Sequence, residues 1–210
     1  TRFQIACDYI ISKHELFTKL DNYFSEIFLM LKMDLKSFID GDPAAKNKEE
    51  IIVIYPGFLA IIIYRFANVL HRLDLDLWAR VSSEYSHSLT GIDINPKALI
   101  GTNFFIDHGT GIVIGETTTI GNYVKIYQGA TLGAISLSKG HKLKGIKRHP
   151  SIGNNVTIYA GSSILGGNTI IGDNVIIGVN TIITDSISPN KIVKSNYKGN
   201  EIIPKNLKNG

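Results

Sequence analysis

From Ile94 onward, aliphatic residues return every six positions, and this period constrains the fold more than any other feature of the chain. They stand at Ile94, Ile100 and Ile106, then after an eight-residue step at Ile114, Ile120, Ile126 and Leu132. The register resumes at Ile152, Ile158 and Ile164, slips by one residue, and continues at Ile171, Ile177 and Ile183. Four residues after many of them comes a small or β-branched residue: Ala98, Thr110, Thr118, Val124, Ala130, Val156, Ser162, Val175 or Thr181. A hexapeptide period is the signature of a parallel β-helix. Each hexad supplies one short strand and one corner, and three hexads make a triangular coil of about 18 residues. The aliphatics point inward and stack on the coil below at about 4.8 Å. Glycine follows the aliphatic at Gly101, Gly115, Gly121, Gly133, Gly153, Gly172 and Gly178, where it suits the bends.

Glycine also marks the boundary with a different kind of chain. Only 4 of the 20 glycines fall outside residues 91–190. Upstream, "DYIISKHELFTKLDNYFSEIFLMLKMDLKSFI" spaces its apolar residues by three and four, as a helix does. "GDPAAKNKEE" breaks that pattern at Pro43. Further helices are predicted from about Pro56 to His71, with proline in the first turn, and from about Asp76 to His87. The predicted architecture is α+β: an α-helical domain over residues 1–90, a β-helix over 91–190, and a C-terminal tail over 191–210.

Between Leu132 and Ile152 the repeat lapses, and a loop over 133–151 is thrown out of the solenoid. A long loop on a regular scaffold is a candidate functional element. Most of its basic residues (Lys139, Lys142, Lys144 and Lys147) read as a solvated surface. Arg148 and His149 stand apart, because Pro150 and the restored repeat anchor them beside the scaffold.

The bulk numbers exclude little more. At 210 residues the chain can bury a real core, and its net charge of +4 suits a small anion as well as nucleic acid. The basic residues are not interleaved with clustered aromatics, so no nucleic-acid partner is predicted. The single cysteine, Cys7, excludes an intrachain disulfide and reads as a buried, inert thiol. "IIVIYPGFLAIIIY" is apolar but broken by Pro56 and Gly57, so no membrane span is predicted. With no signal peptide visible, the expected location is cytoplasmic.

The chemistry concentrates in "IDHGTGIVIGE", residues 106–116. With Ile106 pointing inward, Asp107 and His108 fall at a corner outside the core. Asp93 lies 15 residues before His108, slightly less than one coil, so stacking could bring the two together. A carboxylate on one imidazole nitrogen fixes the tautomer and leaves the other nitrogen free to take a proton. Glu116 follows within the same irregular eight-residue step, and Arg148 can hold a carboxylate in a bidentate pair. Such a set fits attack by an amino-acid hydroxyl on an acyl carbonyl without a serine or cysteine nucleophile. The residues alone equally allow His108 to be a plain surface histidine.

"GIDINP", "IDHGTGIVIGE", "YQGATLGA", "KRHPSIG" and the later hexads closely resemble the serine O-acetyltransferases, a family of hexapeptide-repeat acyltransferases. Upstream, "GDPAA", "YPGF" and "YRFANVLHR" resemble that family's helical domain, and the likeness covers roughly residues 35–185. The resemblance implies a left-handed coil. It also implies transfer of acetyl from acetyl-CoA to the hydroxyl of L-serine, giving O-acetyl-L-serine in cysteine biosynthesis, with no metal. Carried over by motif, His108 is the general base and Asp93 its partner. Asp42 and Asp107 hold the serine ammonium, Arg148 holds its carboxylate, His149 lies at the pocket and Glu116 supports it. Acetyl-CoA lies along the coil against Gly133, Ala134, Ala160, Gly161 and Gly178. The family's habit implies a homotrimer, in many members paired into a dimer of trimers, with sites between subunits and L-cysteine as feedback inhibitor.

There are departures. Asn95 replaces the histidine of "DIHP", and Leu59 that of "GFHA". The loop before "RHP" is longer than in short-loop members. The tail lacks the "GxPA" pattern and a final isoleucine, so a complex with O-acetylserine sulfhydrylase is not implied. Three rivals remain on sequence grounds. One is an O-acetyltransferase for a sugar or antibiotic hydroxyl. Another is a zinc enzyme of the γ-carbonic anhydrase type built on His108, His141 and His149. The third is a non-catalytic scaffold.

Overall fold

The computed structural model describes residues 2–135 and 145–195; before Tyr23, side chains are described only at Thr18 and Asp21. Cys7 therefore lies on a described helix while its side chain falls outside the description, as do His141, Lys139, Lys142, Lys144 and most of the tail. Four helices come first: α1 (Arg2–Gly41), α2 (Lys48–Ile54), α3 (Pro56–Arg72) and α4 (Asp76–Thr90). The short α2 starts in the last three residues of the stretch read as a break and runs on past it. Its seven residues are too few to show a period, but Asn47 caps it by accepting the Glu50 N–H at 2.8 Å. α4 runs about one turn past His87 and stops at Gly91, whose φ of 69° a side chain would resist. Among the described residues, no single helix is long and apolar enough to cross a membrane.

Among the described residues, fourteen short strands follow: β1 (Asp93–Ile94), β2 (Leu99–Ile100), β3 (Phe105–Asp107), β4 (Val113–Ile114), β5 (Thr119–Ile120), β6 (Lys125–Tyr127) and β7 (Thr131–Gly133), then β8 (Ser151–Ile152), β9 (Thr157–Ile158), β10 (Ser163–Leu165), β11 (Ile170–Ile171), β12 (Ile176–Ile177), β13 (Ile182–Ile183) and β14 (Ile192–Val193). They form three sheets whose strand pairs are all parallel. The first face runs β1-β4-β7-β10-β13, the second β2-β5-β8-β11 and the third β3-β6-β9-β12-β14. This is the triangular solenoid that the six-residue period predicts, with about five coils. The hexad aliphatics fill its axis; Ile94, Ile100, Ile106, Ile114, Ile126, Ile158 and Ile177 are all buried. β14 lies in what reads as tail, and it extends the third face by one strand past residue 190.

One repeat position departs from the pattern. Thr110 is exposed, and Ile112 takes the buried place instead. The two extra residues between Ile106 and Ile114 are pushed out of the corner rather than packed into it. Asp93 pairs with Val113, a step of 20 residues, whereas Val113 pairs with Thr131, the regular 18.

The first coil would present an open sheet edge, and the helices close it. Tyr64 donates its hydroxyl to the Ala98 carbonyl at 2.6 Å, Asn68 reaches the Pro96 carbonyl at 2.8 Å, and Ser83 reaches that of Ile94 at 2.7 Å. Arg65 donates from Nη1 to the Ile100 carbonyl at 2.7 Å and from Nη2 to that of Gly101 at 2.6 Å, while Nε and the same Nη2 grip Asp34 at 3.0–3.1 Å. Asp34 in turn accepts the Phe104 N–H at 2.9 Å. Capping buried carbonyls in this way removes the cost of leaving them unpaired. It also explains "YRFANVLHR" physically: three of its residues are the lid on the solenoid.

Candidate active site

The candidate residues gather on two edges of the prism. Where the third face turns into the first stand Asp107 and His108, followed on higher coils by Tyr127, by Ala160 and Gly161, and by Gly178. Where the first face turns into the second stand Lys97, Glu116 and Thr117, then Gly133, Ala134, Arg148 and His149.

At the first of these edges, the eight-residue step decides the geometry. His108 adopts φ of 56°, an uncommon conformation for a non-glycine residue. Gly109 and Gly111 follow with φ of 91° and 83°, values that suit glycine. The extruded corner leaves the His108 side chain 72% exposed, with Nε2 3.9 Å from Asp107 Oδ1. Among the described residues, no hydrogen bond joins His108 to Asp93, which sits in the neighbouring coil at the start of β1. A one-coil offset places Asp93 by the corner, but the imidazole faces Asp107 and solvent instead.

The helical half delivers a second carboxylate here. Gly57 lies so close to β3 that a Cβ would stand 2.5 Å from the Ile106 carbonyl oxygen. Phe38 packs edge-on against Phe105, Phe58 and Tyr55, with ring centroids 4.8, 5.4 and 6.3 Å away. This knot fixes the end of α1 against β3, and Asp42 emerges from it. Tyr55 donates its hydroxyl to Asp42 Oδ2 at 2.7 Å, and the Ala44 N–H donates to Oδ1 at 2.8 Å. The hydrogen bond to Asp42, burial, and the negative charge of Asp42, Glu50 and Asp107 push the Tyr55 phenol up to about 12. Burial, Asp107, Tyr159 and Asp42 likewise raise Tyr127, which is register partner to Asp107 and stacks on Tyr159 at 5.0 Å. Asp42 and Asp107 thus share one patch with two phenols that stay protonated. The arrangement suits a small ammonium ion.

The other edge is a hydrogen-bonded cluster around Thr117. Its Oγ1 accepts from the backbone N–H groups of Arg148 at 2.9 Å and His149 at 3.1 Å. Its own N–H donates to His149 Nδ1 at 3.0 Å. A nitrogen that accepts a backbone N–H carries no proton, so His149 is neutral with its hydrogen on Nε2. Burial, with Arg148 and Lys147 nearby, pushes the His149 pKa down to about 4 against the pull of Glu116. Arg148 Nη2 donates to Glu116 Oε2, and Lys97 Nζ stands 3.5 Å from Glu116 Oε1. Burial alone would raise the Glu116 carboxyl, but Arg148 and Lys97 together hold it below its usual range.

The structure therefore brings Asp42, Asp107 and His108 together, and separately Glu116, Arg148 and His149. Within one chain the first face lies between the two sets. His108 and His149 do not converge, and among the described residues no group of three or more His, Cys, Asp or Glu could hold a metal ion. Sequence reasoning missed Tyr55, Thr117, Tyr127 and Lys97. Tyr55 opens "YPGF" and Tyr127 opens "YQGATLGA", while Thr117 directly follows "IDHGTGIVIGE" and Lys97 directly follows "GIDINP", which is the signal that could have found them.

No protein-family model matches the chain. A serine acetyltransferase of Helicobacter pylori is 46% identical over 138 residues, covering 66% of this chain and 77% of that protein. A plasmid-borne serine acetyltransferase of Synechococcus elongatus is 49% identical over 162 residues, 75% of this chain, which spans about half (51%) of that longer relative. Among solved structures, serine acetyltransferase 1 of Entamoeba histolytica in complex with L-cysteine superposes with a TM-score of 0.82 at 42% identity, covering 87% of this chain and 68% of that one. The Neisseria gonorrhoeae serine acetyltransferase in complex with serine gives 0.78 at 31% identity, covering 86% and 71%. With this likeness running through both the helical cap and the solenoid, the chain belongs to the serine acetyltransferase family.

Proposed function

We propose that this chain transfers the acetyl group of acetyl-CoA to the hydroxyl of L-serine, giving O-acetyl-L-serine and CoA, as a cytoplasmic homotrimer. The observation that carries the reading is the extruded His108 beside Asp107, with Asp42 delivered to the same patch by the helical half. Asp42 and Asp107 bind the serine ammonium, which sets the hydroxyl against His108. The imidazole takes the hydroxyl proton as the oxygen attacks the thioester carbonyl, and the CoA sulfur leaves and is protonated in turn. Asp93 steadies the imidazolium once substrate draws the ring inward.

Arg148 takes the serine carboxylate, and His149 offers its Nε2 hydrogen at the pocket, supported by Glu116. Since these lie across a face from His108, the complete site is assembled from two chains, the edge bearing His108 of one against the edge bearing Arg148 of the next. Acetyl-CoA fits the backbone beside these edges. Gly161, at φ of 70°, and Gly178, where a Cβ would stand 2.9 Å from the Val193 carbonyl oxygen, leave no side chain in its way. L-Cysteine shares the ammonium and carboxylate of serine and competes for the same pocket. The test is thiol release from acetyl-CoA with L-serine or with sugar acceptors. Turnover with serine alone supports the reading; turnover only with a sugar overturns it.

A further inference from the structure

Along the edge that carries Arg148, charges of alternating sign climb from coil to coil. Arg148 pairs with Glu116, Glu116 Oε1 lies 3.5 Å from Lys97 Nζ, and Lys97 lies 3.8 Å from Asp76 Oδ2 on α4. Asp76 has a nearer partner, His71 Nδ1 at 2.5 Å from its Oδ1. Lys147, the other cation here, has its Nζ on the carbonyl oxygens of Thr117 at 2.6 Å and Pro150 at 3.3 Å. Lys97 is the cation placed to neutralise Glu116.

The local fold presents it deliberately. Asn95 Oδ1 accepts the Lys97 N–H at 3.0 Å, and the Asn95 carbonyl accepts the Ala98 N–H at 3.0 Å, so a tight turn projects Lys97 from the corner. This gives Asn95, the departure from "DIHP", a structural role.

We infer that Lys97 is a positioning residue for the acceptor's carboxylate, acting through Glu116 on Arg148. The inference rests on the reading of Arg148 as the group that binds that carboxylate. A guanidinium paired with one carboxylate is a neutral unit, and a second carboxylate approaching it meets the repulsion of the first. Lys97 supplies the missing positive charge. It draws Glu116 from the opposite side, so that Arg148 can accept an anionic ligand without losing its support.

The test is a double-mutant cycle on the KM for L-serine, with melting temperatures measured alongside. Lys97→Met raises KM by about two- to fivefold with kcat within about 1.5-fold, a span set by the modest strength of half-exposed ion pairs. Lys97→Arg restores most of the loss. In the Glu116→Gln background the same Lys97→Met substitution changes KM less than about 1.5-fold, because no negative charge remains to be neutralised. Equal effects of Lys97→Met in both backgrounds, or none in the wild type, overturn the inference while serine turnover by the wild type stands. Absence of serine turnover by the wild type overturns the functional reading itself, and this inference with it.

Discussion

Gly115 makes the room that His149 occupies. A Cβ at Gly115 would stand 2.1 Å from His149 Cδ2 and 2.2 Å from Nε2, closer than atoms pack. The glycine is there for the ring beside it, not for its own backbone, since its φ is not among the positive values. Gly115→Ala is expected to push the imidazole out of the Thr117 cradle. The predicted loss in kcat/KM for serine is at least about tenfold, with a stability cost of about 1–3 kcal/mol for overpacking. Steady-state kinetics and chemical denaturation check both parts.

Tyr55→Phe removes one hydroxyl that donates to Asp42 and little else. A hydrogen bond to a charged group contributes about 1.5–3 kcal/mol, which sets the expected rise in serine KM at about ten- to a hundredfold. kcat changes less, because the phenol touches the carboxylate proposed to bind the ammonium and not the reacting hydroxyl. A change confined to kcat would contradict this placement.

His149 is buried, at 8% exposure, and its pKa is pushed down to about 4. A histidine whose folded pKa lies below its unfolded value near 6.5 binds its proton more readily when unfolded. Its contribution to stability is therefore complete above about pH 6.5 and is lost as pH falls from there to about 4. NMR titration of the His149 ring is expected to show the Nε2–H tautomer unchanged down to about pH 5. A midpoint near 6.5 in the folded protein would contradict it.

Much of this was legible beforehand, and what was not has physical reasons. The hexads at Ile94 to Ile183 announce the solenoid because every inward position must be aliphatic, and the structure follows them coil by coil. The eight-residue step correctly marks the corner at His108. Thr110 was counted with the small residues of the repeat, yet it is exposed and Ile112 is buried in its place, because counting in sixes carries no information on which residues a bulge expels. The split between the edges of His108 and Arg148 was not legible, since it depends on how many faces separate the two corners. Asp93 and His108 show the limit of spacing: one coil apart puts two residues near each other, but a side-chain torsion decides whether they touch. Thr117 went unread because its contacts are made with residues that lie beyond the long loop.

Asp34 and Arg65 bear on stability alone. Asp34 is fully buried, and burial raises its carboxyl above the usual range despite the Arg65 charge. Arg65→Met leaves that carboxylate with the Phe104 N–H but no cation, and uncaps the carbonyls of Ile100 and Gly101. The expected loss is about 3–5 kcal/mol of unfolding free energy. Denaturant titration measures it, and a loss under about 1 kcal/mol would show that the helical lid does not depend on this pair.

In the proposed reaction, His108 takes the proton from the acceptor hydroxyl. The measurement that tests it most directly is the rate of thiol release from acetyl-CoA with saturating L-serine, comparing wild type with His108→Ala. The substitution removes an exposed side chain and should leave the melting temperature within about a degree, as surface changes do. The predicted result is a fall in kcat of about 10²–10⁴, the usual worth of a general base. Turnover by His108→Ala at the wild-type rate would contradict the account.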